Sequence, residues 1–236
     1  GAQLLYGGDA VVAVDGHSKE MVAGLNDSGI IPIKVVYKGT ANSSKEVEDV
    51  MKAANNDAKC VGIITWMHTF SPAKMWIKGL QALQKPLLHF HTQYNAEIPW
   101  DSIDMDFMNL NQSAHGDIEF GHICTRMRVA RKVVCGYWKE ADVQKKIAVW
   151  ARVAAGVADA KNVRCLMFGM NMNNVAVTDG DRVEFEQRLG YHVDYYPVSS
   201  LMEYFKKVTD AEANELVEEY KKLYTIKIDE SGEEVY

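Results

Sequence analysis

The chain has 236 residues and a formal net charge of −6, with 47% hydrophobic and 25% charged residues. This acidic balance argues against a nucleic-acid partner, because phosphate-binding surfaces carry a basic excess. No apolar run approaches the roughly 18 residues that a membrane crossing needs, and no secretory signal opens the chain, so we expect a cytoplasmic protein without a membrane partner. The four cysteines form no C-x-x-C, which favours reduced thiols over disulfides or zinc ligands.

Apolar runs of strand length alternate with longer helical patterns along the chain. We predict strands over 31–37, 61–66, 86–91, 132–138, 163–168 and 192–198. We predict helices over 9–26, 43–55, 72–83, 105–131, 140–160, 179–189, 200–207 and 210–224. Two of these helices follow Thr178-Asp179 and Thr209-Asp210, whose side-chain oxygens can accept from free amides at a helix start. The alternation indicates parallel βαβ units and therefore the α/β class.

The predicted strands fall into two groups, which indicates two domains. Residues 1–160 are predicted to form an N-terminal Rossmann-like α/β domain with a doubly wound parallel sheet. Its first strand is missing from the pattern, because Gly1–Gly8 has the composition of a strand-to-helix loop. A polar stretch at 158–162 ends the long preceding helix, and residues 161–236 are predicted to begin a central α/β domain that is truncated.

Two polar, aromatic-rich stretches follow predicted strands: ITWMHTFSPAKMW at 64–76 and HFHTQYNAEIPWDSIDMDFMNLNQSAH at 89–115. In an open parallel sheet, ligands bind beyond the carboxyl ends of the strands. The sequence therefore predicts a ligand site at this edge of the sheet. We expect His68 to shape the crevice by hydrogen bonding rather than to act in catalysis.

Two arrangements in this region could hold a metal ion or perform acid–base chemistry. His89 and His91 form H-x-H at a strand end, where alternate side chains share a face, but no third ligand lies nearby in the sequence. Asp101, Asp104 and Asp106 could bind a hard cation or act as paired carboxylates, and they could equally cap the helix predicted beside them. We favour capping and assign no metal ligand to this chain.

Six segments together resemble one known family. They are GAQLLYGG (1–8), FSPAKMW (70–76), HTQYN (91–95), PWDSIDMDFMN (99–109), NQSAHG (111–116) and NVAVTDGD (174–181). The chain thereby resembles the L-arabinose isomerases, which interconvert L-arabinose and L-ribulose. The resemblance covers nearly the whole chain, whereas the family's own chains are about twice as long.

The resemblance implies aldose–ketose isomerisation, with D-galactose to D-tagatose as the side reaction, in a homo-oligomer that is a hexamer or a tetramer. The family's catalytic glutamates, and the Glu and His ligands of its Mn2+ ion, belong to the part of the pattern that follows Tyr236. We therefore expect no catalytic residue in this chain, no metal bound by the chain alone, and no turnover of an aldose by it alone. The alternative is a standalone, non-catalytic sugar-binding or oligomer-assembly module.

The resemblance also implies which residues contact the sugar. Gln3, Leu5 and Tyr6 match the family's loop behind its first strand, where an amide can donate to and accept from sugar hydroxyls. Met172 matches a position that lines the sugar pocket.

One further residue matches a position that acts across a subunit boundary, and a second lies beside it. His115 resembles a histidine that the family inserts into the active site of a neighbouring subunit, and Gln112 would share its helical face three residues earlier. We expect His115 to be exposed in the isolated protomer and too far from Gln3 and Met172 to form a site with them.

Overall fold

The chain is an α/β protein that folds as two compact units, Gly1–Ala160 and Lys161–Tyr236. The computed structural model describes residues 8–228 and 234–235. Within these residues, no helix combines the length and the apolar character that crossing a membrane requires. All four cysteines are free thiols.

The first unit is built on a three-stranded parallel sheet. Its elements, in chain order, are α1 (Gly8–Asp27), α2 (Ser44–Asn56), β1 (Ile63–Trp66), a short 3-10 helix (Ala73–Trp76) that leads into α3 (Ile77–Ala82), β2 (Leu87–His91), α4 (Met105–Leu110), α5 (Ser113–Arg126), β3 (Lys132–Cys135) and α6 (Ala141–Ala160). The strands pair in the order β1-β2-β3, and every pairing is parallel. The strands predicted at 61–66, 86–91 and 132–138 are therefore confirmed as neighbours in one sheet.

The central strand β2 separates two apolar cores. Leu88 and Phe90 are fully buried among residues of α1 and α6, whereas Leu87 packs against Leu80 of α3 and Phe120 of α5. Alternate residues of a strand point to opposite faces, so a strand covered on both faces is apolar along its length. Helices on both sides of the sheet give the Rossmann-like layering that the sequence predicts.

The strand predicted at 31–37 is wrong, because this segment joins no described strand in a ladder. The side chain of Asn26, on α1, pairs with it instead: its Oδ1 accepts from the Val35 amide at 2.9 Å, and its Nδ2 donates to the Val35 carbonyl at 2.9 Å. Both main-chain groups of Val35 are thereby satisfied without a neighbouring strand. A cavity of about 580 Å³, lined by apolar side chains that include Ile33 and Ile64, is bordered by this segment and by β1.

The helix predicted over 105–131 is two helices, α4 and α5. The backbone leaves the helical region at Asn111 (φ −126°, ψ 52°) and at Gln112 (φ −106°, ψ 44°). The Asn111 side chain donates to the Phe107 carbonyl at 3.1 Å and accepts from the Asn95 amide at 3.3 Å. Asparagine competes in this way with the main-chain bonds of a helix. The break makes the residues after Gln112 the first turn of a new helix.

The second unit contains a separate parallel sheet. Its elements are β4 (Arg164–Phe168), a 3-10 turn (Ala176–Thr178), α7 (Arg182–Leu189), β5 (His192–Tyr196), α8 (Val198–Phe205), α9 (Asp210–Leu223), β6 (Lys227–Ile228) and β7 (Glu234–Val235). β4 pairs with β5 in parallel, which confirms that 163–168 opens a second sheet, and β6 pairs with β7 in antiparallel fashion. Every side chain described from 161 to 227 is at least partly exposed.

The helix caps of this unit test two predictions. Thr209 accepts from the Glu212 amide at 3.3 Å in a capping box, as predicted. The cap predicted at Thr178-Asp179 is wrong, because α7 starts later and Asp181 accepts from the amide of Val183 at 2.9 Å.

Candidate functional site

Polar and aromatic side chains meet where β1 and β2 end. Trp66 closes β1, and the His68 ring stacks on it with a centroid separation of 3.7 Å. Tyr94, three residues after β2, stacks on His17 of α1 at 3.6 Å. The two stacks touch, because His17 Nδ1 lies 3.4 Å from His68 Nε2. Both polar stretches of the sequence therefore contribute to one crevice, together with α1.

A charged group of side chains lies beside these rings. The Tyr94 hydroxyl donates to the carboxylate of Glu20, and Lys139 Nζ lies 3.4 Å from Glu20 Oε1. The Trp138 indole N–H donates to the Tyr94 carbonyl at 3.0 Å, which holds the loop after β2 in place. The buried His68 ring and three half-buried rings thus lie near an exposed ion pair, and such a surface can both stack on a ligand and hydrogen-bond to it.

The crevice favours neutral forms of its rings. Burial lowers the pKa of His68 to about 3. Burial also lowers the pKa of His17, and the nearby Glu20 carboxylate opposes this shift. The hydrogen bond to Glu20, helped by burial, raises the pKa of Tyr94 to about 12. An efficient general acid or base has a pKa near the working pH, so His68 and Tyr94 are suited to donating and accepting hydrogen bonds rather than to moving protons.

The side chains described do not fit the manganese ion that the family resemblance implies. From residue 10 to residue 227, no three His, Cys, Asp or Glu side chains are grouped to hold a metal. His89 and His91 stack at 5.3 Å, but His89 Nε2 already lies 2.7 Å from Asp117 Oδ1. Asp104 accepts from the Phe107 amide at 2.8 Å at the start of α4, so capping is confirmed for this carboxylate.

Four of the residues expected to contact sugar belong to the second unit or lie outside the described residues. Gln3, Leu5 and Tyr6 lie outside the described residues. Met172 follows β4 in the second unit, and 64% of its surface is exposed. An exposed methionine in a loop is free to contact a ligand or a partner.

Gln112 and His115 lie together at the start of α5. Gln112 is the residue before its first turn, and its side-chain amide donates to Asn109 Oδ1 at 3.1 Å. His115 is exposed. Its ring lies 6.2 Å from that of Phe70, in the loop after β1. The start of α5 therefore carries a half-buried amide that is bonded to Asn109 and an exposed imidazole that lies close to an aromatic ring.

Sequence analysis missed four residues around this edge of the sheet: His17, Glu20, Phe70 and Tyr94. Phe70 and Tyr94 belong to the two polar stretches, so their position behind a strand was a usable signal. His17 and Glu20 lie on α1, and their partner Tyr94 is more than 70 residues away in sequence. Nothing in the local sequence of α1 marks that approach.

Comparison with known families identifies the chain's relatives. A sequence profile of the L-arabinose isomerase N-terminal domain matches residues 1–162, and one of the L-arabinose isomerase central domain matches residues 164–235. The chain belongs to the L-arabinose isomerase family. The resemblance seen in the six sequence segments is confirmed.

Individual members of the L-arabinose isomerase family are similar over nearly the whole chain. Proteins named L-arabinose isomerase from Phocaeicola vulgatus and Bacteroides thetaiotaomicron are each 73% identical over 220 residues, which is 93% of this chain and 43% of the relative. One from Geobacillus stearothermophilus is 50% identical over 226 residues, 96% of this chain and 46% of the relative. The chain thus spans less than half the length of these curated L-arabinose isomerases.

Proposed function

We propose that this chain forms the substrate-contacting part of an L-arabinose isomerase, which interconverts L-arabinose and L-ribulose and converts D-galactose to D-tagatose as a side reaction. The two family matches, which together extend from residue 1 to residue 235, carry the proposal. The crevice supports it, because stacked rings beside hydroxyl, carboxylate and ammonium groups suit a polyhydroxylated ligand.

The chemistry itself is assigned to other parts of the protein. Aldose–ketose isomerisation needs groups that remove and return a proton next to the carbonyl, and an electrophile that stabilises the enediolate. In the crevice, burial lowers the pKa of His68 to about 3, which leaves it a poor base. We therefore assign no catalytic residue and no metal ligand to this chain, and place the manganese ion with the remainder of the isomerase.

The proposed sugar contacts come from two protomers. Gln3, Leu5, Tyr6 and Met172 serve the pocket of their own subunit. Exposed His115, in the first turn of α5, and half-buried Gln112, the residue before it, serve the pocket of a neighbouring subunit in a hexamer or tetramer. Such an arrangement makes each site depend on assembly. The four free thiols suit the reducing cytoplasm, where we place the protein.

Two proteins should be assayed side by side for manganese-dependent formation of L-ribulose from L-arabinose. The first is the 236-residue chain, and the second is a polypeptide of the full length of its relatives. We expect product only from the second. Product from the chain alone, above a heat-killed control, would contradict the assignment of catalysis to other parts of the protein.

The same pair of proteins tests the alternative of a non-catalytic module. If the longer polypeptide does not isomerise L-arabinose, while the 236-residue chain binds the sugar in calorimetry or assembles into a stable oligomer, the module is favoured. One observation favours this alternative. Ring and amide side chains such as His115, Phe70 and Gln112 lie near the start of α5, and the described part of the chain has no group of three side chains that could hold a metal.

A further inference from the structure

A buried histidine–aspartate pair links the sheet to α5, outside the crevice described above. His89 of β2 and Asp117 of α5 are 1% and 0% exposed, and His89 Nε2 lies 2.7 Å from Asp117 Oδ1. Neither His89 Nδ1 nor Asp117 Oδ2 has a hydrogen-bond partner among the described residues. The mutual hydrogen bond is therefore the only one that the His89 ring makes among the described residues, whereas the Asp117 carboxyl also accepts a main-chain hydrogen bond from Met67.

The electrostatics of the pair make that bond costly to lose. Burial raises the pKa of Asp117 to about 9, although a main-chain hydrogen bond from Met67 acts to lower it. Burial lowers the pKa of His89 to about 4. The pair can exist at neutral pH as neutral Asp117 with neutral His89, or as the Asp117 carboxylate with the His89 imidazolium. Both forms hold the same number of protons, so the pair has no net charge in either form. Removing Asp117 leaves the buried His89 imidazole without a hydrogen-bond partner among the described residues.

The first two turns of α5 lie against the loop that follows β1 and the start of the 3-10 helix behind it. A Cβ atom at Gly116 would lie 2.5 Å from the Thr69 carbonyl oxygen and 2.8 Å from that of Met67, so only glycine allows this approach. Glu119 Oε2 accepts from the Ala73 amide at 3.1 Å. One face of the start of α5 is thus held against the loop, and its other face carries exposed His115.

We propose that Asp117, through its hydrogen bond with His89, is a positioning residue for His115. Asp117 follows His115 by two residues in the same helical turn, so the backbone that presents the imidazole is held by the buried carboxyl group. The Phe70 ring is the only ring within contact range of His115 among the described residues, and it lies at 6.2 Å. The inference rests on the proposed role of His115 in isomerisation.

The test is a double-mutant cycle in the full-length isomerase. D117A should lower kcat/KM about tenfold by misplacing His115, and D117N, which keeps a group able to hydrogen-bond to His89, should recover most of the loss. In an H115A background, D117A should cause little further loss, because the group that it positions is already absent. C124A is the matched control: Cys124 is also fully buried on α5, near its far end, and the variant should keep its kcat/KM.

Three results would overturn the proposal. The first is that D117A lowers kcat/KM about tenfold both in the wild type and in the H115A background. The second is that C124A lowers kcat/KM by the same factor, and the third is that D117N folds but does not recover kcat/KM. Absence of activity in the wild-type isomerase would instead contradict the proposed function. In that case amide hydrogen exchange still decides the positioning role: exchange at residues 113–116 should accelerate in D117A and not in D117N or C124A.

Discussion

Replacing His68 with glutamine should remove part of the acid sensitivity of the first unit. His68 is 2% exposed, stacked on Trp66 and next to His17, and burial lowers its pKa from 6.5 to about 3. In the unfolded chain the same imidazole binds a proton near pH 6.5. Protonation below that pH therefore favours the unfolded state.

The sign and size of the effect follow from linkage. A histidine whose folded pKa is lowered contributes stability that is complete above pH 6.5 and is lost as the pH falls toward the folded pKa of about 3. At about 1.36 kcal/mol per pH unit, His68 alone should remove about 2 kcal/mol of unfolding free energy between pH 7 and pH 5. H68Q cannot lose this contribution, because its amide does not titrate.

Urea unfolding followed by tryptophan fluorescence measures the difference. All five tryptophans lie within the first unit, at positions 66, 76, 100, 138 and 150, so their emission reports that unit. Stability that H68Q loses through poorer packing is lost at both pH values, so it cancels when the change in unfolding free energy between pH 7 and pH 5 is compared. The contributions of titrating groups that both proteins contain, such as Asp117, cancel in the same way. The wild type should lose about 2 kcal/mol more than H68Q between pH 7 and pH 5. Equal losses in the two proteins would refute the burial argument.

Three other substitutions test separate features. Asn26→Ala leaves the Val35 amide and carbonyl unpaired and should cost about 1–3 kcal/mol in the same urea titration, whereas an unchanged midpoint would mean that water replaces the side chain. Gly116→Ala places a Cβ 2.5 Å from a main-chain oxygen and should cost about 1–3 kcal/mol, whereas Gly16→Ala, with open space around it, should not destabilise the unit. His115→Ala in the full-length isomerase should lower kcat/KM about tenfold or more with manganese affinity unchanged, and intact kinetics would rule out its role across the subunit boundary.

The sequence predicts the three strands of the first unit's sheet from apolar runs of strand length. β1, β2 and β3 are short apolar runs between helical patterns, and β2, which is buried along most of its length, has the composition of a buried parallel strand. It fails at 31–37, which has the same composition, because a ladder also needs a neighbouring strand and Asn26 occupies the Val35 main chain instead. It also fails at Asn111, where periodicity alone would continue the helix. The Asn111 side chain hydrogen-bonds to Phe107 nearby and to Asn95 more distant in the chain, and the helix ends there.

For the candidate site, the sequence indicates the edge of the sheet but not the contacts. A stack such as His17 on Tyr94 joins two segments far apart in the chain, and no spacing rule links them. Asp117 follows NQSAHG and has the sequence context of an ordinary surface carboxylate. Only its complete burial against His89 distinguishes it, and burial of a polar residue is set by tertiary packing.

Every described side chain between 161 and 227 is at least partly exposed, so we expect proteases to attack the second unit more readily than the first. Cleavage follows the population of open forms, and a sheet of two strands with no fully buried side chain opens at a low free-energy cost. Trypsin should therefore cut first in the second unit, at sites such as Lys161 and Arg164, while the two apolar cores protect the first unit. Brief digestion offers a direct route to a compact fragment that ends near residue 160.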